Sequence, residues 1–525
     1  MARASKPLVA LGVALLLVLG IFVAIEDSSA RPTWRIGLEA PLTGDQSTLG
    51  KGMLEGAQLA AAQANAAGGV LGRDIQIVPI DDQANADKGV AAVNAALASH
   101  LDGVVGPYNS SVGVKTLPIY VAHALIPIRL TSAASTSGYG YTVQPMESQI
   151  APVATEALSG WMKAKSVAIV FDPTSQYTKG VAKQVRSNLE SSGVAITMFK
   201  EIQPGKASYD NVMREALATT PDAVYAAVYM PEGAKMAKAL VTAGSTTNCL
   251  MDYASYDSGF VAAAGHPAAE HCSVLGVPAP QDFQDDTRQV EAFQAKFGHV
   301  PGTWSPYTYD SVNLLLDAAR KAKSFNDVAL RPILATTHRW HGWTGIVNLE
   351  LVSGDRTPAT VVVTQTKGGE LRLDHSWAKS AGVLAQKVHI EADLTSQGTA
   401  LHQVDPSVTY GTNLLTGVSG GSAETEAGVE VSMQGNVLYN YGTGPLFGFV
   451  TFTFPNGSTL ATQMTGHASK SLFDQTTTFH ARLIIIGGTG IYQAATGTGT
   501  FSGSRDGKIG SSVNSAFTIS LRGQN

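Results

Sequence analysis

From Trp34 to Asp252 the chain alternates short β-branched runs with Ala-rich helical stretches, and this alternation limits the fold more than any other feature. Trp34–Ala40, Ile75–Ile80, Gly103–Gly106 and Ile126–Leu130 read as strands, with helices predicted over Gly50–Ala66 and Ala84–Ala98. Gly68-Gly69 supplies the stop signal after the first helix. After Ile150 the pattern restarts: helix Pro152–Ala164, strand Ser166–Phe171, helix Tyr177–Ser191 and strand Val194–Phe199. Helix Tyr209–Ala218, strand Asp222–Val228, helix Glu232–Gly244 and strand Cys249–Asp252 continue it. Repeated βα units require a parallel sheet covered on both faces, and two series of similar length predict two lobes.

Composition divides the chain a second time. All six Trp lie before Gly382, and no Lys or Arg occurs between Lys387 and Lys470, where Gly, Thr and Ser dominate. A boundary is therefore expected at Ser380-Ala381-Gly382. With 525 residues, a single core is excluded. A net charge of -5 excludes a nucleic-acid binder that works by neutralising phosphates.

Residues 1–30 read as an address. Arg3 and Lys6 precede an apolar run from Leu8 to Ile25, and Ser28-Ser29-Ala30 follows as a small-x-small cleavage pattern. The alternative is an uncleaved anchor, because the run approaches spanning length. Either way the remainder is exported, to the periplasm or extracytoplasmic face, with the membrane touched only through this segment. No cysteine stands near the end of the run to accept a lipid. Cys249 and Cys272 fit an oxidising compartment and are expected to form a disulfide, the competing reading being two separate buried thiols.

Several stretches carry a family resemblance: IGLEAPLTGDQSTLGKGMLEGAQLAAAQANAAGGVLGRDIQIVPIDDQAN, DGVVGPYNSS, IPIRLTSAAST, FDPTSQYTKG, VYAAVYMPEGAKMAKAL, WSPYTYDSV and WTGIVNLELVSGDRTPATVVV. In this order the chain resembles type I periplasmic binding proteins of the leucine/isoleucine/valine class, over Pro32 to about Lys379. The resemblance implies two Rossmann-like lobes that close on a small ligand. Residues 31–381 form that domain, with lobe 1 over about 34–150 and 280–338 and lobe 2 over about 151–279 and 339–379.

A zwitterionic ligand needs donors for its carboxylate and acceptors for its ammonium. Ser110 and Ser111 follow a strand and open a helix, where free N–H groups favour a carboxylate, and Ser110 matches the family's carboxylate serine. An ordinary helix N-cap is the competing reading. In SAAST, either Ser135 or Thr136 supplies the second hydroxyl, with Ala133 or Ala134 offering backbone groups. Tyr177 and Tyr229 match tyrosines that pack over the ligand, and Trp304 matches an aromatic lining the side-chain pocket. At the ammonium the chain departs from the family. An acid preceded by glycine and proline is usual there; this chain has Asp252-Tyr253-Ala254, so Asp252 or Tyr253 becomes the acceptor. The Asp81-Asp82 pair reads as structural.

No phosphate-cradling loop or His-Glu-x-x-His motif is present. Gly417-Val418-Ser419-Gly420-Gly421 matches a nucleophile-elbow spacing but reads as a flexible loop, since no helix pattern follows. His338 with His341, and His266 with His271 and Cys272, read as ordinary residues and not as metal ligands. No metal or cofactor is expected.

Beyond about Leu384 a period of two replaces the helical pattern. In GFVTFTF, Val450, Phe452 and Phe454 share one face, and Pro455-Asn456-Gly457 marks a turn. Strands are predicted over Val388–Leu394, Gly428–Tyr441, Leu446–Phe454, Thr459–Gly466, Phe479–Ile486, Gly497–Arg505 and Ala516–Leu521, seven or eight in all. A closed barrel or a sandwich over 382–525 is expected. ARLIIIGGTGIYQAATGTGTFSG resembles the hallmark hairpin of allene oxide cyclase and dirigent-type barrels. Gly487, Gly488 and Gly490 would make its tight turn, with Ile491-Tyr492 packing against the barrel end. Glu430 and Tyr439 are the candidate inward polar groups. The expected architecture is thus an α/β two-lobed binding domain followed by an all-β barrel that binds or assists rather than catalyses.

Three functions fit this reading. The first is an ABC-transporter solute-binding component for branched-chain amino acids or related small polar solutes, which presents its closed form to permease subunits. The second is a membrane-tethered sensor using the same cleft. The third is a cyclase activity in the barrel.

Overall fold

A computed structural model describes residues 32–282, 287–357, 359–381, 387–421, 425–455, 457–471, 475–489, 492, 495–507 and 509–522. The leader Leu8–Ile25, the Ser28–Ala30 motif, Gly382, Leu384, Asn456, Gly490 and Ile491 lie outside the described residues.

The first lobe is built on β1 (Thr33–Ala40), β2 (Asp74–Asp81), β3 (Gly103–Val105), β4 (Pro127–Arg129) and β5 (Tyr141–Thr142), all parallel, in the order β2-β1-β3-β4-β5. The last five residues of β1 are buried without alternation, the pattern of a central strand with helices on both faces. Helix Ser47–Ala66 turns Met53, Ala57, Ala60 and Ala64 inward and lies against helix Ser305–Ala322. The two backbones come so close that a Cβ on Gly56 would stand 2.2 Å from the Ser305 carbonyl oxygen. Only glycine fits there.

The second lobe repeats the plan. β6 (Ser166–Phe171), β7 (Ala195–Glu201), β8 (Ala223–Ala227), β9 (Asn248–Met251) and β10 (Cys272–Gly276) are parallel, in the order β7-β6-β8-β9-β10. After the hairpin β11 (Trp340–Gly342) and β12 (Gly345–Val347), the antiparallel strands β13 (Val362–Lys367) and β14 (Glu370–Leu373) extend this sheet past β10. Cys249 and Cys272 face each other in β9 and β10, with Cα atoms 4.6 Å apart and their sulfurs bonded.

One lobe boundary departs from expectation. Residues 339–357 were assigned to lobe 2 by the sequence, yet they pack on lobe 1. The backbone N–H groups of Trp343 and Thr344 each donate to the buried Asp310 carboxylate at 2.7 Å. Arg356, 3% exposed, donates to the Val143 carbonyl at 2.9 Å and to the Thr344 carbonyl at 2.7 Å. These buried charges hold the segment on the first lobe, and the chain rejoins the second only at β13.

The tail is a closed up-and-down barrel of β15 (Lys387–Gln403), β16 (Val408–Gly420), β17 (Ala427–Asn440), β18 (Gly444–Thr453), β19 (Thr459–Lys470), β20 (Thr477–Gly488), β21 (Thr496–Arg505) and β22 (Val513–Arg522). β15 closes it: its first half pairs β22 and its second half pairs β16, with a bulge at Ser396–Gly398. Val450 and Phe452 are fully buried while Phe449 is 51% exposed, as the period-two pattern requires. Phe479, Phe501, Phe517 and Phe452 form a continuous aromatic ladder inside. β16 escaped the sequence reading, and the Gly417–Gly421 stretch largely belongs to it, so this is a strand end and not a flexible loop. Ser419 is buried and accepts a hydrogen bond from the Val429 N–H at 2.9 Å. Glu430 faces outward, whereas Tyr439 is 2% exposed and points in.

Replacing both Cys249 and Cys272 by serine should lower the unfolding free energy of the two-lobed unit by about 3 kcal/mol, the loop-closure value for a crosslink of this span; denaturant titration reads it. A second test concerns the buried Asp82, whose carboxyl is pushed up to about 7 chiefly by burial. Glu39 beside it is also raised, first by burial and then by the Asp82 charge. The folded chain therefore holds protons between about pH 4 and 7 that the unfolded chain has released, and stability falls as pH rises through that window. Asp82→Asn keeps an acceptor for the Ala84 N–H. It should stabilise the protein at pH 8 by on the order of 2 kcal/mol and leave it nearly unchanged at pH 4.

Candidate functional site

In each lobe the chain leaves the first strand toward one side of the sheet and returns to the other, between β1 and β3 and between β6 and β8. Loops diverge at such points and open a crevice at the carboxyl ends of the strands. Every residue named from the sequence as a ligand contact lies on one of these loops, on the turn after β4 or β9, or at the start of helix Ser305–Ala322.

On the first lobe, Ser110 is the first residue of helix Ser110–Ala122, with Asn109 at the cap position. Its hydroxyl is 99% covered and accepts from the N–H groups of Ser132 at 3.3 Å and Ala133 at 3.2 Å. A hydroxyl that accepts twice keeps its own proton for donation. Thr136 is not aimed outward: its hydroxyl donates to the Ala133 carbonyl and accepts from Thr131, both at 2.7 Å. Ser135 and Ala134 are exposed, and the Ala134 N–H is taken by Glu147 at 3.0 Å. Of the SAAST segment, the Ser132–Ala133 backbone is what meets Ser110.

Ser111 joins the lobes. Its Oγ donates to the Thr174 carbonyl at 3.3 Å and accepts from the Gln176 N–H at 3.0 Å. Both partners belong to the β6 loop of lobe 2 and the helix it feeds, Gln176–Ser191.

Tyr177, Tyr229, Tyr253 and Trp304 are all buried, at 2, 9, 2 and 1% exposure. Tyr108, in the loop after β3, completes the group and was missed as a contact, although it stands inside the quoted GPYNSS stretch. Aromatics of both lobes meet directly, with the Tyr108 and Tyr229 centroids 6.2 Å apart and Tyr253 and Trp304 5.2 Å apart. Tyr256 adds an edge contact to Trp304 at 6.4 Å.

Asp252 is fully buried. Its Oδ1 accepts from the Tyr225 hydroxyl at 2.5 Å and its Oδ2 from the Ala254 N–H at 3.0 Å. Burial raises its carboxyl, and the Tyr225 hydrogen bond only partly offsets this. The carboxylate is thus turned into its own lobe. Asp257, also buried and also raised by burial, accepts from the Gly259 N–H. Tyr225 and Asp257 were not legible as site neighbours, because neither lies in a recognisable motif.

The remaining sequence candidates lie elsewhere. His338, His341 and His266 are exposed, Cys272 is in the disulfide, and no group of three metal-ligating side chains occurs among the described residues. Asp81, at the end of β2, ties down the loop after β1, accepting from Leu42 at 2.9 Å and the Thr43 hydroxyl at 2.5 Å.

Residues 33–370 match the profile of the periplasmic binding protein family. The chain belongs to that family. It is a binding protein over the matched residues rather than an enzyme, and the barrel lies outside them. Leu/Ile/Val-binding protein homolog 2 of Brucella abortus is 24% identical over 344 residues, 64% of this chain and 91% of that one. The leucine-binding protein LivK of Thermotoga maritima superposes with a TM-score of 0.61 at 21% identity, covering 65% of this chain and 97% of the other. LivJ of Streptococcus pneumoniae, solved with isoleucine, gives 0.59 at 22% identity, covering 65% and 99%. No helix among the described residues is long and apolar enough to cross a membrane.

Ser111→Ala removes a bridge between the lobes and is expected to weaken solute binding about fivefold, roughly 1 kcal/mol. The saturated protein should keep the same radius of gyration in X-ray scattering. A lower affinity with an unchanged closed form identifies the bridge as a closing contact.

Proposed function

We propose that this chain is the extracytoplasmic solute-binding component of an ABC uptake system, taking branched-chain amino acids or related small polar solutes. The observation that carries this reading is the meeting of the two switch-point crevices: Ser110 and its backbone partners on one side, buried tyrosines on the other, in an arrangement shared by both sheets. Such a cleft encloses a solute by hinge closure and changes the outer surface as it does so. That change is what permease subunits in the membrane would read. Export by residues 1–30 places the cleft where solute is met.

Ser110 would donate to the solute's carboxylate, assisted by the open N-terminus of its helix. Tyr177, Tyr229, Tyr253 and Trp304 would enclose the remainder, and Ser111 would latch the closed form. The relatives' names point to branched-chain amino acids, while Asp252, engaged by Tyr225 and Ala254, favours a related solute with a different cationic end.

Thermal unfolding of the full chain against amino acids, their amides and N-methylated derivatives tests the reading. A true solute at about a hundred times its dissociation constant should stabilise the fold by roughly 2.7 kcal/mol. Ser110→Ala should remove most of that shift for carboxylated solutes. No shift with any of them would sink the solute-cleft reading.

A further inference from the structure

Five aromatic side chains close into a circuit across the cleft. The centroid separations run 6.2 Å from Tyr108 to Tyr229, 6.4 Å to Tyr177, 6.3 Å to Tyr253, 5.2 Å to Trp304 and 5.5 Å back to Tyr108. Neighbouring planes are inclined by 48 to 74°, so the rings turn around the circuit instead of stacking. Tyr108 and Trp304 come from the first lobe and the other three from the second, so only closure completes it. A regular five-sided figure of this size has its centre roughly 5 Å from each centroid, within the ~6 Å reach of an aromatic face for a cation.

The two aspartates beside the circuit already serve their own lobe: Asp252 accepts from Tyr225 and Ala254, and Asp257 accepts from Gly259. An ammonium with N–H groups would need acceptors of its own on leaving water. A fully alkylated ammonium has no N–H to satisfy and is held by π faces alone. The anionic end is provided for separately. Ser110 retains its proton for donation, and the Tyr253 hydroxyl is buried without a hydrogen-bond partner.

We propose that the cleft selects a small betaine-type zwitterion, a carboxylate carrying a fully alkylated ammonium, with the cation inside the Tyr108–Tyr229–Tyr177–Tyr253–Trp304 circuit and the carboxylate at Ser110. This rests on the solute-binding reading above and narrows its ligand.

Calorimetry on the full chain with glycine betaine, its uncharged-head isostere 3,3-dimethylbutyrate, and leucine decides it without any mutation. The two carboxylates have the same shape and differ in the charge of the head group. Glycine betaine should bind at least about tenfold more tightly than the isostere and than leucine. Trp304→Leu should cost about tenfold in betaine affinity, and Trp304→Phe, which keeps a π face, should recover part of it. Equal binding of betaine and isostere overturns the cation circuit. Binding of leucine without betaine also overturns it but leaves the solute-binding reading standing. Absence of binding by these and by the wider amino-acid panel overturns both.

Discussion

The packing of tyrosines and a tryptophan from two separate lobes against one another is the interaction on which the rest of this structure depends. Rings at 5 to 6.5 Å across a domain boundary bury a large apolar surface while leaving their polar tips to be satisfied. The contact makes a buried aromatic interior between the lobes, in which hydrogen bonds and charges act more strongly than they would in water. Ser111 fastens the same boundary from its rim, through backbone groups of Thr174 and Gln176 that lie outside the sheets.

The duplicated strand order explains why contacts so far apart in sequence converge. A sheet that starts in the middle and grows outward in both directions places the loops of its first and third strands side by side. Two such sheets bring residues near 110, 130, 177, 229 and 253 together. The buried ion cluster around Asp310 and Arg356 then fixes residues 340–357 on the first lobe, despite their sequence position just ahead of second-lobe strands. Burial raises the Asp310 carboxyl to about 6, a cost offset in part by hydrogen bonds from Thr344 and Trp343.

The barrel follows different rules. Its strands carry a strict inside-outside alternation, and its interior is filled by Phe452, Phe479, Phe501 and Phe517. At one end a small cavity of about 40 Å³ is lined by Tyr439, Leu446, Phe479 and the buried Arg505, whose guanidinium sits over the Phe479 ring. β16 was hidden from the period-two reading because Thr409, Gly411, Thr412 and Asn413 give it little hydrophobic contrast. It is a strand because its neighbours pair with it on both edges, not because its composition demands one.

The sequence by itself determined the two βα series, the change of architecture near residue 382, and the loops that would carry a site, because periodicity and turn residues act locally. It also named Ser110, Tyr177, Tyr229, Tyr253 and Trp304, all of which are buried. Tertiary structure alone decided where their functional atoms point. Asp252 could be read as an acceptor for ligand until Tyr225, twenty-seven residues away, was found to occupy it. Thr136 was spent within its own loop, and Ser111 on the other lobe. Which hydrogen bonds a buried polar group makes depends on neighbours brought together by long-range packing, and no local pattern encodes them.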